Sequence, residues 1–234
     1  MYRLVESQEH IATRQLVDTL EEQAILEEML ETVKPPYPHH SGHLHYLLKT
    51  PFRYPPLKWG SRFGRTFEPS IFYGGCSVDV TLAESAYYRF VFWHSMDGKP
   101  PKNTLRSEHT LFSVGYHSDQ GIQLQSAPFD VHLDLIAHPI NYSHPQQLGT
   151  AMRNDGVAVF EYPSARASNH ATSHATCVGL FTASAFSQHS PLDRQQWFCD
   201  VGSDEVIFKA VECSHIFYFE LSQFLYQGVF AMPA

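Results

Sequence analysis

A change of hydrophobic period near residue 100 constrains the fold most. Before it, residues 14–33 and 81–93 carry apolar side chains at helical spacing. After it, short β-branched or aromatic runs are bounded by turn residues, which is typical of strands. These runs are residues 110–116, 131–136, 156–162, 178–183, 206–211 and 216–221. Helices followed mostly by strands predict an α+β domain rather than a βαβ repeat.

Three further segments complete the predicted organisation. Residues 71–74 are predicted to form a short strand, and residues 146–153 a helix that ends at Asn154-Asp155-Gly156. Residues 35–60 contain six prolines and predict an extended connection. We therefore predict a single α+β domain with an N-terminal helical extension.

Composition excludes several classes of protein. The 234 residues suit one large domain, and the content of 43% hydrophobic and 14% aromatic residues excludes disordered, collagen-like and coiled-coil chains. The net charge of −8 argues against direct nucleic-acid binding as the main role, because phosphate recognition depends on clustered cations.

The sequence also predicts a cytoplasmic location. The first ten residues, MYRLVESQEH, have no basic and apolar regions of a signal peptide, and no apolar run approaches 18 residues, so no membrane association is expected. Cys76, Cys177, Cys199 and Cys213 are widely spaced and predict reduced thiols.

Two histidine-rich segments raise the question of a metal site. One contains His39, His40, His43 and His45, and the other contains His170, His174 and Cys177. The first lies in the proline-rich connection without a nearby Cys or carboxylate, and the second lies among Ser, Ala and Thr residues. We interpret both as loops and expect no metal.

Other candidate chemistry is sparse. No nucleophile elbow or phosphate-binding Walker loop is present. The segment GSRFGR places Arg62 and Arg65 beside two glycines, either as an exposed structural pair or as a holder of a phosphate or carboxylate. Glu84 has apolar neighbours on its predicted helix and is either a functional carboxylate or a surface residue near a favourable helix end.

Three segments together resemble the RES domain, the toxin half of RES–Xre toxin–antitoxin pairs, whose members degrade NAD⁺. They are HYLLKTPFRYPPLKWGSRFGRTFEPSIFYGG, TLAESAYYRF and GVAVFEYPSAR. The N-terminal stretch also resembles the helical leader of longer members, so the likeness extends from about residue 3 to 186. It implies a core resembling that of ADP-ribosyltransferases and a division into a helical extension, residues 1–38, and a RES domain, residues 39–234.

The resemblance implies a role for each matching residue. Glu84 would contact the ribose hydroxyls and face the developing cation. Arg62 would clamp the pyrophosphate with help from Arg53, and Arg65 could exchange places with Arg62 in the match. Tyr73 would stack on nicotinamide, and Ser164 would bond the dinucleotide. Arg166 lies just beyond that serine and is a further candidate contact.

The implied activity is cleavage of the nicotinamide–ribose bond of NAD⁺, by phosphorolysis or hydrolysis and without a metal. An Xre-type antitoxin is the implied partner, and DNA would be reached only through it. Two alternatives stay open, a protein ADP-ribosyltransferase using the same site and a catalytically idle binding partner. After YPSAR this chain inserts ASNHATSHATC, which leaves the acceptor open, and the sequence also leaves open whether the chain forms a homo-oligomer.

Overall fold

A nine-stranded sheet organises the computed structural model, which describes residues 1–7, 16–38, 41–167, 175–230 and 232. Its strands are β1 (Tyr2–Glu6), β2 (Phe72–Gly75), β3 (Thr104–Ser113), β4 (Gly121–Gln123), β5 (Val159–Pro163), β6 (Thr176–Leu180), β7 (Asp193–Gly202), β8 (Glu205–Ala210) and β9 (Ile216–Glu220). Their order is β4-β5-β6-β2-β1-β3-β7-β8-β9, and only the β4–β5 pair is parallel. A small hairpin, β10 (Leu225–Tyr226) and β11 (Val229–Phe230), follows.

Five α-helices accompany the sheet in the described residues. They are α1 (Leu20–Val33), α2 (Tyr46–Lys49), α3 (Val78–His94), α4 (Leu133–Ile136) and α5 (Ser143–Asn154). Helix α3 packs against one face of the sheet, and the leucines of α2 pack on the other with Phe72 and Phe112. The predicted α+β class, with mostly antiparallel strands flanked by helices, is confirmed. No described helix is long and apolar enough to cross a membrane.

The sheet opens between β1 and β2. Strand β1 pairs with β3 along all five residues, but with β2 only where Tyr2 faces Gly75. Beyond that pair, the Arg3 guanidinium donates from Nη1 to the Tyr73 carbonyl oxygen at 2.5 Å, which satisfies a backbone acceptor that lies beside the opening. Gly74 allows the close approach, because a Cβ there would lie 2.5 Å from the Tyr2 carbonyl oxygen.

Helix α3 carries Glu84 alongside this opening. Ser77 caps its N-terminus by accepting a hydrogen bond from the Val80 amide. Nine of its 17 residues are buried, so its orientation is determined by packing against the sheet. Thr81 Oγ1 donates to the Tyr2 carbonyl oxygen at 3.3 Å, which ties the helix to β1.

The prediction of a helical extension over residues 1–38 is wrong at its start, because residues 2–6 form a strand inside the sheet. A five-residue strand that contains Arg3 and Glu6 gives a weak local signal, and its pairing partner β3 lies more than 100 residues away in sequence. Helix α1 begins at Leu20 rather than at residue 14, and residues 8–15 lie outside the described part of the chain.

Three other segments also differ from their predicted secondary structure. Residues 131–136, predicted as a strand, form a short 3₁₀ turn and α4. Strand β7 was not predicted, because its first four residues, Asp-Arg-Gln-Gln, are exposed and polar. The proline-rich connection contains α2 and a 3₁₀ turn at Thr50–Phe52. The other predicted elements overlap with observed ones, although their bounds differ by a few residues. These are β2, α3, β3, α5, β5, β6, β8 and β9.

Candidate active site

A cleft of about 480 Å³ follows the opening between β1 and β2. Glu84 of α3, Tyr73 of β2 and Arg62 of the preceding loop all line it. The structure therefore brings together three of the residues singled out from the sequence. Its volume lies in the range of small-molecule sites.

One oxygen of the Glu84 carboxylate is held from behind. Ser164 donates from Oγ to Glu84 Oε1 at 2.6 Å, and the Cys177 thiol donates to the same oxygen at 3.7 Å. Burial, and next the charge of Glu84, raise the pKa of Cys177 well above its usual value, so this thiol stays protonated. These contacts fix the carboxylate and leave Oε2 as the oxygen available to a ligand.

Ser164 is a positioning residue. Its Oγ accepts hydrogen bonds from the amides of Arg166 at 3.1 Å and Ala167 at 3.0 Å, which occupy its acceptor capacity. Its single proton is therefore directed to Glu84. Ser164 is buried and is not among the residues that line the cleft, so it borders the cleft through Glu84, and its implied direct contact with a dinucleotide stays a prediction.

The loop that carries Arg62 is tightly built. Gly60 has a φ of 75°, a conformation that favours glycine, and the Ser61 amide donates to the Gly64 carbonyl oxygen at 2.8 Å. Helix α5 supports the loop, because the Gln146 side chain donates from Nε2 to the Ser61 carbonyl oxygen at 3.1 Å. The loop thus presents Arg62 to the cleft from a rigid base.

Arg62 is buried and oriented by main-chain acceptors. Nη1 donates to the carbonyl oxygens of Ile136 at 3.4 Å and His138 at 2.7 Å, and the guanidinium lies 4.7 Å from the centre of the Tyr142 ring. Ile136 ends α4, within the segment predicted as a strand, and His138 lies in the turn that follows. With Nη1 occupied, Nε and Nη2 are the donors that remain for an anion.

Tyr73 also helps to position the Arg62 loop. Its hydroxyl lies 2.9 Å from Ser61 Oγ and accepts from the Phe63 amide at 3.2 Å. Burial of this hydroxyl raises the pKa of Tyr73 to about 12, so the phenol stays neutral. Tyr73 thus anchors the loop that carries Arg62, and its expected stacking on nicotinamide stays a prediction.

Sequence reasoning missed several residues that line the cleft: Arg3, Tyr88, Arg89 and Tyr142. Tyr88 follows Glu84 by four residues, the helical spacing that places two side chains on one face, so its position was predictable. Arg89 lies five residues from Glu84 and gave no such signal. Arg3 gave no signal, because only its pairing within the sheet places it beside the opening. The cleft thus holds more cationic side chains than the motifs alone indicated.

Three of the predicted ligand contacts do not line the cleft: Arg53, Arg65 and Arg166. Arg53 forms an ion pair with Glu31 at 2.7 Å and stacks on Tyr37 at 4.1 Å, so it fastens α1 and the proline-rich connection. The Arg65 amide donates to Glu68, and its guanidinium lies 6.0 Å from the Phe67 ring.

Arg166 packs behind Tyr142, which lines the cleft. Its guanidinium lies 3.5 Å from the centre of the Tyr87 ring, and Nη2 donates to the Tyr142 hydroxyl at 3.2 Å. Because Arg62 also stacks on Tyr142, Arg166 acts on the site through that ring. Arg53, Arg65 and Arg166 therefore lie outside the cleft lining, and their assignment as direct ligand contacts stays a prediction.

Within the described ranges, no group of three or more His, Cys, Asp or Glu side chains could hold a metal ion. Four of the histidines in the two candidate clusters, His39, His40, His170 and His174, lie outside those ranges. The expectation of a metal-free mechanism therefore stays a prediction.

Comparison with protein families identifies the chain. The family model described as RES domain matches residues 36–200, more than half of the sequence. The chain belongs to the RES domain family. Membership is consistent with an NAD-related enzymatic role in a toxin–antitoxin system. A search of curated proteins finds no match to the chain.

The first prediction concerns Gly149, which brings α5 against the Arg62 loop. A Cβ at this position would lie 1.8 Å from the Phe63 carbonyl oxygen. Gly149→Ala should therefore lower the free energy of unfolding by about 1–3 kcal/mol, whereas alanine usually stabilises a helix relative to glycine. Urea denaturation measures this, with the exposed Gln147→Ala as the control. A stabilised Gly149→Ala variant would contradict the packing.

The second prediction concerns Ser164. Ser164→Ala removes the acceptor of two buried amides, so the free energy of unfolding should fall by about 1–3 kcal/mol. Hydrogen exchange at the Arg166 and Ala167 amides should accelerate. Exposed Ser190→Ala should change neither quantity. Unchanged exchange at both amides in Ser164→Ala would refute the positioning role.

Proposed function

We propose that this RES domain protein is a toxin that cleaves the nicotinamide–ribose bond of NAD⁺ and is neutralised by an Xre-type antitoxin. The observation that carries the proposal is the Glu84 carboxylate, oriented by Ser164 in a cleft that also contains Arg62. Three observations support this reaction. The family has an NAD-related role, the cleft has a suitable volume, and an oriented carboxylate lies in the same cleft as a buried cation.

Glu84 supplies the transition-state charge in this proposal. Departure of neutral nicotinamide leaves positive charge on the ribose, and a fixed carboxylate stabilises that charge more than it stabilises the substrate. Oε1 is held by Ser164 and Cys177, so Oε2 is the oxygen that faces the ribose. The protein needs no covalent intermediate for this step.

Arg62 orients the dinucleotide. Its remaining donors, Nε and Nη2, form the planar fork that suits a pyrophosphate oxygen pair. Main-chain carbonyls and the Tyr142 ring fix the guanidinium before substrate arrives. Such preorganisation lowers the entropic cost of placing the scissile bond next to Glu84.

Two aromatic side chains of the cleft are available to stack on the nicotinamide ring. Tyr73 and Tyr88 line the cleft, and Tyr88 is 42% exposed and follows Glu84 by one helical turn. The acceptor is phosphate or water, which the cleft admits from solvent. A protein side chain as acceptor, which would make the enzyme an ADP-ribosyltransferase, is distinguished by the products.

The third prediction tests the reaction and the role of Glu84 together. Wild-type protein incubated with NAD⁺ should release nicotinamide, and Glu84→Gln should lower kcat by about a hundredfold or more while keeping the fold. The exposed Asp79→Asn on the same helix is the matched control and should retain wild-type turnover. Chromatography of the products in buffers with and without phosphate identifies the acceptor.

Each outcome of that assay has a distinct meaning. ADP-ribose 1″-phosphate formed only in phosphate indicates phosphorolysis, and free ADP-ribose indicates hydrolysis. Label transferred from NAD⁺ to protein would favour the ADP-ribosyltransferase. No nicotinamide release by the wild type would refute the proposed function, and near-normal turnover of Glu84→Gln would refute its assigned residue.

The fourth prediction separates the two arginines of one loop. Arg62→Lys keeps the charge but loses the planar fork, so the KM for NAD⁺ should rise about tenfold or more. Arg65→Lys should leave the KM unchanged, because Arg65 does not line the cleft. A raised KM in Arg65→Lys with a silent Arg62→Lys would reverse the assignment.

A further inference from the structure

A second cavity of about 250 Å³ adjoins the cleft. The two share Arg3, Glu6, Pro51 and Tyr54 as lining residues, so they lie next to each other. None of the site residues assigned from the resemblance lines the second cavity, and the proposed bond cleavage does not use it.

The second cavity lies on the opposite face of the sheet from Glu84. Tyr2, Leu4 and Tyr73 pack into the core beneath α3, whereas Val5 and Phe72 pack into the core beneath α2. Val5 and the α2 residue Leu47 line the second cavity. A ligand that occupies both spaces therefore passes through the opening between β1 and β2.

The walls of the second cavity suit a flat heterocycle. Val5, Leu47 and Pro51 supply apolar surface, and Tyr46 and Tyr54 supply aromatic rings. Both tyrosines are partly exposed, at 38% and 39%, but the Tyr46 ring lies 4.6 Å from the His45 ring, which leaves Tyr54 as the residue for stacking. Aromatic side chains stack on every nucleobase, because each base has a π face.

The junction of the two spaces suits a phosphate group. Arg3 lines both, its Nε is buried without a hydrogen-bond partner, and it forms no ion pair with a carboxylate among the described residues. Burial lowers the pKa of Arg3 to about 10, and the contacts of its guanidinium are the Tyr73 carbonyl oxygen and the Phe72 ring, whose centre lies 4.7 Å away. An anion between the two spaces would satisfy this guanidinium.

We propose that the second cavity binds the adenine end of the dinucleotide, with Tyr54 as the stacking residue and Arg3 at the adenosine-side phosphate of the pyrophosphate that Arg62 also contacts. This inference rests on the proposed function for the identity of the whole substrate. It assigns Tyr54, in the proline-rich connection, a role in substrate affinity that is separate from bond cleavage at Glu84.

The test compares ligands with and without the adenosine half. AMP binding, measured by calorimetry, should weaken about tenfold in Tyr54→Ala and be retained in Tyr54→Phe. The KM for NAD⁺ should rise about tenfold in Tyr54→Ala with kcat little changed. The KM for nicotinamide mononucleotide, which lacks the adenosine half, should stay the same. Tyr218→Ala, at an exposed tyrosine of β9, is the matched control.

The outcomes separate this inference from the proposed function. Wild-type protein that fails to bind AMP, or a Tyr54→Ala variant that binds AMP as well as the wild type, would overturn the adenine site. An equal rise in KM for both substrates would also overturn it, because Tyr54 would then act on the shared half. If AMP binding depends on Tyr54 but no nicotinamide is released, the adenine site stands and NAD⁺ cleavage fails.

Discussion

The parting of the sheet between β1 and β2 is the constraint on which the rest of the structure depends. A continuous sheet would leave no passage at its centre, whereas a split exposes backbone groups that must find other partners. Arg3 supplies one such partner by donating to the Tyr73 carbonyl oxygen, and Thr81 supplies another to the Tyr2 carbonyl oxygen. The split is thus stabilised by side chains that also border the cleft.

The cleft is built in two layers of side chains. An outer layer lines the space and includes Glu84 and Arg62. A layer behind it holds these groups in place, with Ser164 on Glu84 and Arg166 beneath Tyr142. Buried charges are stable only when their hydrogen bonds are satisfied, so the second layer is a physical requirement of the first.

Local signals in the sequence predicted the elements that carry the site but not the contacts between them. The spacing around Glu84 indicated α3, and turn residues indicated the strands β5 and β6. Nothing local revealed that Ser164, 80 residues away, bonds Glu84. The position of Arg53 outside the cleft was not predictable either, because a motif gives residue type and order, whereas its ion pair with Glu31 of α1 depends on tertiary structure.

A crystal structure of the Glu84→Gln variant soaked with NAD⁺ tests the central claim most directly, since the weakened variant would retain intact substrate. The account predicts density for the dinucleotide in the opening between β1 and β2. The nicotinamide ribose should lie within hydrogen-bonding distance of residue 84, and Arg62 should contact the pyrophosphate. Density for NAD⁺ at another surface, with the cleft empty, would contradict it.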